Sequence, residues 1–237
     1  METANRVLVE LKKLARPDKA EFLPKFFQAY EGGYGEGDQF LGVVVPPQRR
    51  LAKQFRDLSA EHVEQLLHSP WHEARLTGLF ILVSQYERSC DKLKRSELVS
   101  FYLTQLDWVN NWDLVDSSAH KILGAHLVDN PTQRSLLTKL AKAKSLWHQR
   151  VAVIATLALI KNREFTEILV LSEKLLNHRH DLMHKAIGWM LREVGKQDIV
   201  VLRHFLEQHS TRMPRTMLRY AIEKMSQEER QEWLTRK

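Results

Sequence analysis

Four stretches of the chain share one register: PWHEARLTGLFIL (70–82), NWDLVDSSAHKIL (111–123), LWHQRVAVIATLAL (146–159) and DLMHKAIGWML (181–191). Each begins near a bulky residue, reaches a charged one a few positions later and then runs apolar. Under this alignment Arg75, Asp116, Arg150 and Lys185 are equivalent, separated by 41, 34 and 35 residues. A unit of that length is a helix pair, which cannot bury its own apolar face and must stack on neighbours to make a core. The recurrence predicts an all-α protein: a solenoid, or α-α superhelix, of HEAT-like helix pairs. One repeat domain over residues 1–237 is expected, with equivalent residues lining one face.

The local pattern agrees with the period. Strand signals are scarce, and apolar residues recur at spacings of three and four nearly everywhere. Breaks fall at Arg16-Pro17, Gly32 to Gly37, Pro46-Pro47, Ser69-Pro70, Asn130-Pro131 and Met213-Pro214, each suited to ending one helix or starting the next. These divide the chain into about a dozen short helices with brief connections. The N-terminal METANRVLVELKK carries charges where a signal peptide needs an apolar core, and the run Val151 to Ile160 is too short to span a bilayer. The single cysteine, Cys90, excludes an internal disulfide framework and a multi-cysteine zinc site. The expectation is a soluble intracellular protein.

Lys and Arg total 36 against 29 Asp and Glu, a formal charge of +7, which points to polyanionic partners. On the repeat reading, Arg75, Arg150 and Lys185 form a ladder on one face, suited to a phosphate backbone. Solvated ends of amphipathic helices are the plain alternative for any one of them. Asp116 interrupts the ladder. On a helical wheel from Leu114 it falls between Leu123 and Leu127, at the border of the apolar stripe, with Trp112 one turn before it on the same face. Asp113 lies toward the polar side in the first turn, where a negative charge complements the helix dipole. Asp116 is thus the candidate functional acid; a carboxylate satisfied by His120, or by a cation from another helix, is the structural alternative. Trp147 and Trp189 lie three and four residues from Arg150 and Lys185. Trp71, Trp108, Trp147 and Trp233 suit packing roles, and Trp189 suits either core or groove.

WDLVD (112–116), LWHQRVAVIATLAL (146–159), KAIGWMLRE (185–193) and FLGVVVPPQRR (40–50) resemble, in order and at family-like spacing, the AlkD-type DNA alkylation repair glycosylases. The resemblance implies a HEAT-like superhelix that holds duplex DNA in a basic concave groove and excises positively charged alkylated purines, in a cytoplasmic protein associated with the nucleoid through DNA. It implies Asp116 as the catalytic carboxylate, Trp112 and Trp189 as the aromatic residues beside the lesion's sugar, and Arg150 as a backbone-phosphate contact. It further implies a monomer without an obligate protein partner. The family's N-terminal aromatic, often tyrosine, corresponds to Phe26 or to the nearby Tyr30. The stretch YEGGYGEGD (30–38) is an insertion that lengthens the loop before Phe40.

The chemistry fits so sparse a site. A purine alkylated at N3 or N7 leaves as a neutral base, so little acid catalysis is needed; the developing oxocarbenium character at C1′ is what a carboxylate stabilises. Aromatic ring faces add cation–π stabilisation of about 1–2 kcal/mol where water is excluded. A monofunctional glycosylase for 3-alkyladenine and 7-alkylguanine is therefore expected, without a cofactor. A non-catalytic HEAT-like protein binding damaged or branched DNA is the competing reading, and a protein-interaction scaffold is a further one. His178, His180 and His184 in NHRHDLMH have no acidic or cysteine partner in a motif, so no metal site is expected. Arg212, Arg215 and Arg219 share one spacing-compatible helix face, and Arg215 and Arg219 are candidate phosphate contacts.

Overall fold

The structure, a computed structural model, describes residues 2–236. Among them every regular element is a helix or a helical turn, apart from one isolated parallel bridge between Gln39 and Trp71. The chain divides into two compact units at Ser118/Ala119.

The first unit contains α1 (Ala4–Lys13), α2 (Pro17–Phe26), α3 (Val45–Gln54), α4 (Ala60–Leu67), α5 (His72–Arg88), α6 (Lys92–Thr104) and α7 (Trp112–Ser118). Its centre is α5, which packs against α3, α4 and α7 and is buried nearly all round from His72 to Val83. A helix enclosed on every side has no solvent-facing stripe to set against a core-facing one, so its sequence shows little amphipathicity. The second unit contains α8 (Ala125–Asp129), α9 (Ser135–Ala141), α10 (Leu146–Lys161), α11 (Thr166–Lys174), α12 (Asp181–Gln197), α13 (Ile199–His209), α14 (Arg215–Ala221) and α15 (Gln227–Thr235). Here α10 is the buried helix, flanked by α9 and α12, and α12 packs in turn on α14.

The helices start where the sequence places start signals. Thr3, Ser59, Asp91, Ser145, Asp198 and Ser226 accept a backbone N–H from the first turn that follows each of them. Pro17 and Pro46 occupy first-turn positions of α2 and α3, where a missing N–H costs nothing. Each of the four aligned segments opens a helix: Arg75 is the fourth residue of α5, and Asp116, Arg150 and Lys185 are the fifth of α7, α10 and α12. The wheel drawn through Leu123 and Leu127 needs correction, because His120–Gly124 form a π turn and the 100° register does not continue through it. In the second unit, a Cβ at Gly124 would lie 2.2 Å from the carbonyl oxygen of Ala155, so α10 approaches this turn as closely as a glycine permits.

Gly42 is equally demanding. It has φ +83°, and a Cβ there would lie 2.2 Å from the carbonyl oxygen of Arg16. Only glycine fits, and the loop leading into α3 is pinned at that point.

Candidate functional site

Trp112 opens α7, and its position one turn before Asp116 puts indole and carboxylate on one face of that helix. Both are half-buried. The indole stacks on Phe27, with centroids 5.3 Å apart at 24°, and meets Phe26 edge-on at 5.8 Å and 70°. Phe26 in turn stacks on Phe22 at 5.9 Å, and these two phenylalanines are 49% and 53% exposed. An aromatic strip therefore runs from Trp112 out along α2, a helix with no buried residue. Of the two N-terminal aromatic candidates, Phe26 is the one seen against Trp112, beside Phe27.

Below Asp116, the hydroxyl of Ser118 donates to the carbonyl of Leu114 at 2.7 Å and accepts from Tyr102 of α6 at 3.0 Å. Burial pushes the Tyr102 phenol well above its ordinary range, and the negative charge of Asp116 adds to that rise. The carboxylate of Asp116 thus makes itself felt at the α6–α7 junction.

Asp113 faces elsewhere. Its Oδ1 accepts the N–H of Leu114 at 2.9 Å, and its Oδ2 accepts from Nε2 of His72 at 2.8 Å. The other ring nitrogen of His72 donates to Asp38 at 2.8 Å, and Arg75 forms an ion pair with Asp38 and donates to Asn110 at 2.8 Å. Burial works against a charged imidazole, but the carboxylates of Asp113 and Asp38 outweigh it and raise the His72 pKa to about 9. Asp38 is held below the usual carboxylate range: burial opposes this, and the bond from His72 and the charge of Arg75 prevail. Next to His72, the buried carboxylate of Glu73 accepts the N–H groups of Leu41, Gly42 and Val43 at 3.0, 2.7 and 3.1 Å.

In the second unit the candidates gather at the start of α12. Arg150 donates to the carbonyl of Leu182 at 2.6 Å, and Lys185 pairs with Asp181 at 2.8 Å. Asp181 is held below its ordinary range, first by the bond from Lys185. Nδ1 of His180 accepts the N–H of Leu182, and Nδ1 of His178 accepts the N–H of His180, so both rings serve as neutral caps. Burial holds both below the usual histidine range, and the charges of Arg150 and Lys185 add to the lowering at His180. Trp189 is half-buried, with its Nε1 donating to Glu193 at 3.1 Å. Arg215 and Arg219 are exposed on α14, and Arg215 donates to the carbonyl of Leu234 at 2.8 Å. Of the remaining tryptophans, Trp233 is buried and Trp108 stacks on His68 at 4.4 Å.

Two of the three expected ladder cations, Arg75 and Arg150, are enclosed. Arg75 is 3% exposed and its charge is spent on Asp38, so it is an internal strut and not a solvent-facing cation. Arg150, at 4%, is also enclosed, whereas Lys185, Arg215 and Arg219 reach the surface. The alignment correctly marks a helix-opening position but says nothing about the partner waiting there. His72, Glu73 and Asp38 escaped the sequence reading, although His-Glu followed by Arg at the head of a strongly apolar helix is a signal that buried charge must be matched. Among the described residues no three His, Cys, Asp or Glu side chains are grouped as a metal site would require, and no helix is long and apolar enough to cross a membrane.

Residues 7–225 match the family described as DNA alkylation repair enzyme. The chain belongs to this family. Two solved structures share the fold of this DNA alkylation repair family member. One is described as a predicted DNA alkylation repair enzyme from Enterococcus faecalis, 16% identical, with a TM-score of 0.71 over 90% of this chain and 97% of that one. The other is described under a new family of proteins related to the HEAT-like repeat DNA glycosylases with affinity for branched DNA structures; it is 13% identical, with a TM-score of 0.62 over 93% of this chain and 83% of that one. At these identities the likeness concerns the fold, which is HEAT-like and all-helical. No curated protein matches the chain in sequence.

Proposed function

We propose that this DNA alkylation repair family member is a monofunctional DNA glycosylase that hydrolyses the N-glycosidic bond of 3-alkyladenine and 7-alkylguanine in duplex DNA. The observation that carries the reading is the division of labour on α7. Asp113 is committed to His72 and to the Leu114 amide, while Asp116 shares a face with Trp112. That supports Asp116 as the carboxylate facing the sugar.

Asp116 stabilises the positive character that develops at C1′ as the neutral purine departs, and it orients the attacking water. Trp112 presents an aromatic face to the deoxyribose, and Trp189 is a further aromatic candidate for contact with the DNA. Lys185, Arg215 and Arg219 meet backbone phosphates, and Arg150 adds its charge to that of Lys185 at the start of α12. The protein acts as a monomer, needs no cofactor or metal, and works where cellular DNA is found.

The test is release of free base from duplex DNA methylated by a simple alkylating agent, followed by chromatography. The proposal expects 7-methylguanine and 3-methyladenine in the soluble fraction at rates above spontaneous loss. Tight binding to the same DNA without release would instead assign the protein to non-catalytic recognition; one structural neighbour is described as belonging to a family with affinity for branched DNA structures.

A further inference from the structure

We propose that His72 is a positioning residue for Trp112 and Asp116, an inference that rests on the glycosylase reading above. The ring of His72 is buried, and each of its nitrogens lies 2.8 Å from a carboxylate oxygen, Nδ1 from Asp38 and Nε2 from Asp113. Ionised carboxylates only accept hydrogen bonds, and a neutral imidazole has one N–H to give. Two such contacts therefore require the imidazolium. The charged groups around it are Asp38 from the loop before Phe40, Arg75 from α5 itself and Asp113 from α7. Two positive and two negative charges close the cluster, and the rings of Phe27 and Phe40 cover the imidazole at 4.7 and 5.0 Å.

From this cluster two routes lead to Trp112. Asp113 follows it directly in the chain, and Phe27, which lies against His72, stacks on the indole at 5.3 Å. The first turn of α7 is thus fixed to α5 by a charge-assisted bond and to the N-terminal aromatic residues by a stack, with Asp116 one turn further along the same helix. Asp38, the second acceptor, ends the glycine-rich stretch 30–38, so the loop before Phe40 supplies the counter-charge that completes the clamp. Reaction at C1′ is sensitive to displacements of about 1 Å, which cost about a hundredfold in rate. A clamp that holds α7 to such tolerance acts on the release step without touching DNA.

Two variants of the full chain test this. Asp113→Asn keeps the shape and the acceptor for the Leu114 amide but removes the charge facing His72; Phe27→Leu removes the ring between His72 and Trp112 and leaves the ion pairs in place. Folding is followed by circular dichroism and melting, affinity by titration with alkylated duplex, and the release step by single-turnover excision of 7-methylguanine at saturating protein. In each folded variant the release constant is expected to fall at least about tenfold while affinity stays within about twofold. Should Asp113→Asn fail to fold, Phe27→Leu carries the comparison. Nitrogen-15 spectra of the wild-type histidine rings at pH 8 should show one ring, lost in His72→Gln, with both nitrogens protonated. A neutral His72, or release at the wild-type rate in a folded variant, overturns the inference. A wild-type protein that releases no base at all overturns the glycosylase reading, a result distinct from either.

Discussion

The ring of Phe26 meets the indole of Trp112 edge-on, with centroids 5.8 Å apart, at the end of a helix that buries none of its residues. Little of the fold depends on that contact, since Phe26 is about half exposed. Its value lies in giving Trp112 a second aromatic contact beside the stack on Phe27.

Phe26→Ala should therefore separate stability from activity. An aromatic pair of this kind contributes about 0.5–1.5 kcal/mol, so the melting temperature should drop by only a few degrees. Base release should fall more steeply than DNA affinity, because the indole loses a lateral support. Melting curves and single-turnover excision measure the two effects; a large loss of stability with normal excision would assign Phe26 to packing alone.

Glu73 offers the opposite case. One buried carboxylate holds three consecutive amides of the loop before α3. Glu73→Gln replaces one acceptor oxygen by a donor facing N–H groups, and hydrogen bonds to charged groups are worth about 1.5–3 kcal/mol each, so a net loss of about 2–4 kcal/mol is expected. Urea denaturation should show the midpoint falling with the slope unchanged.

Stability should peak in pH near the ordinary histidine value. His72 is raised to about 9, so the native state holds a proton that the unfolded chain releases above about 6.5. Its contribution is complete below 6.5 and is lost as pH rises through 9, with a slope of at most about 1.4 kcal/mol per pH unit. His178, His180 and His209 are lowered, chiefly by burial, so in the window below 6.5 the unfolded chain binds protons that the native state does not. Their contribution is present above 6.5 and is lost as pH falls. Denaturation midpoints measured from pH 5 to 10 should be bell-shaped, and His72→Gln should flatten the alkaline side.

Much of the fold could be read from the sequence because helix starts are local events. Ser145, Pro17 and Asp198 act on the turn that follows them, and a period of 34–41 residues is visible without knowing any contact. The site was legible only in part, for a physical reason. The partners of His72 lie 34 and 41 residues away in the chain, and nothing in PWHEAR states that Asp38 and Asp113 will converge on it. Register alone puts Arg75 on a phosphate-facing ladder, but register specifies only a helical position, and the buried Asp38 decides what that position does. The π turn at His120–Gly124 was equally invisible, since it accompanies a close approach to Ala155 that no local pattern encodes.

Binding should be strongly salt-dependent if phosphates provide most of the affinity. Each phosphate contact contributes about −0.9 to the slope of log K against log salt. Arg219→Ala and Lys185→Ala should each reduce that slope by about one and weaken alkylated and undamaged duplex alike. Fluorescence anisotropy between 50 and 200 mM salt, about a thousandfold range in affinity for a multi-contact protein, gives the slopes; an unchanged slope in both variants would remove α12 and α14 from the interface.

The most direct measurement is single-turnover release of 7-methylguanine by Asp116→Asn beside the wild-type protein. The substitution removes one negative charge from a half-buried position on α7 and alters almost no volume. The variant should bind alkylated duplex at least as tightly as the wild type, since a charge repelling phosphate is gone, and excision should fall by about a hundredfold or more. Excision by Asp116→Asn at the wild-type rate would contradict a catalytic role for Asp116.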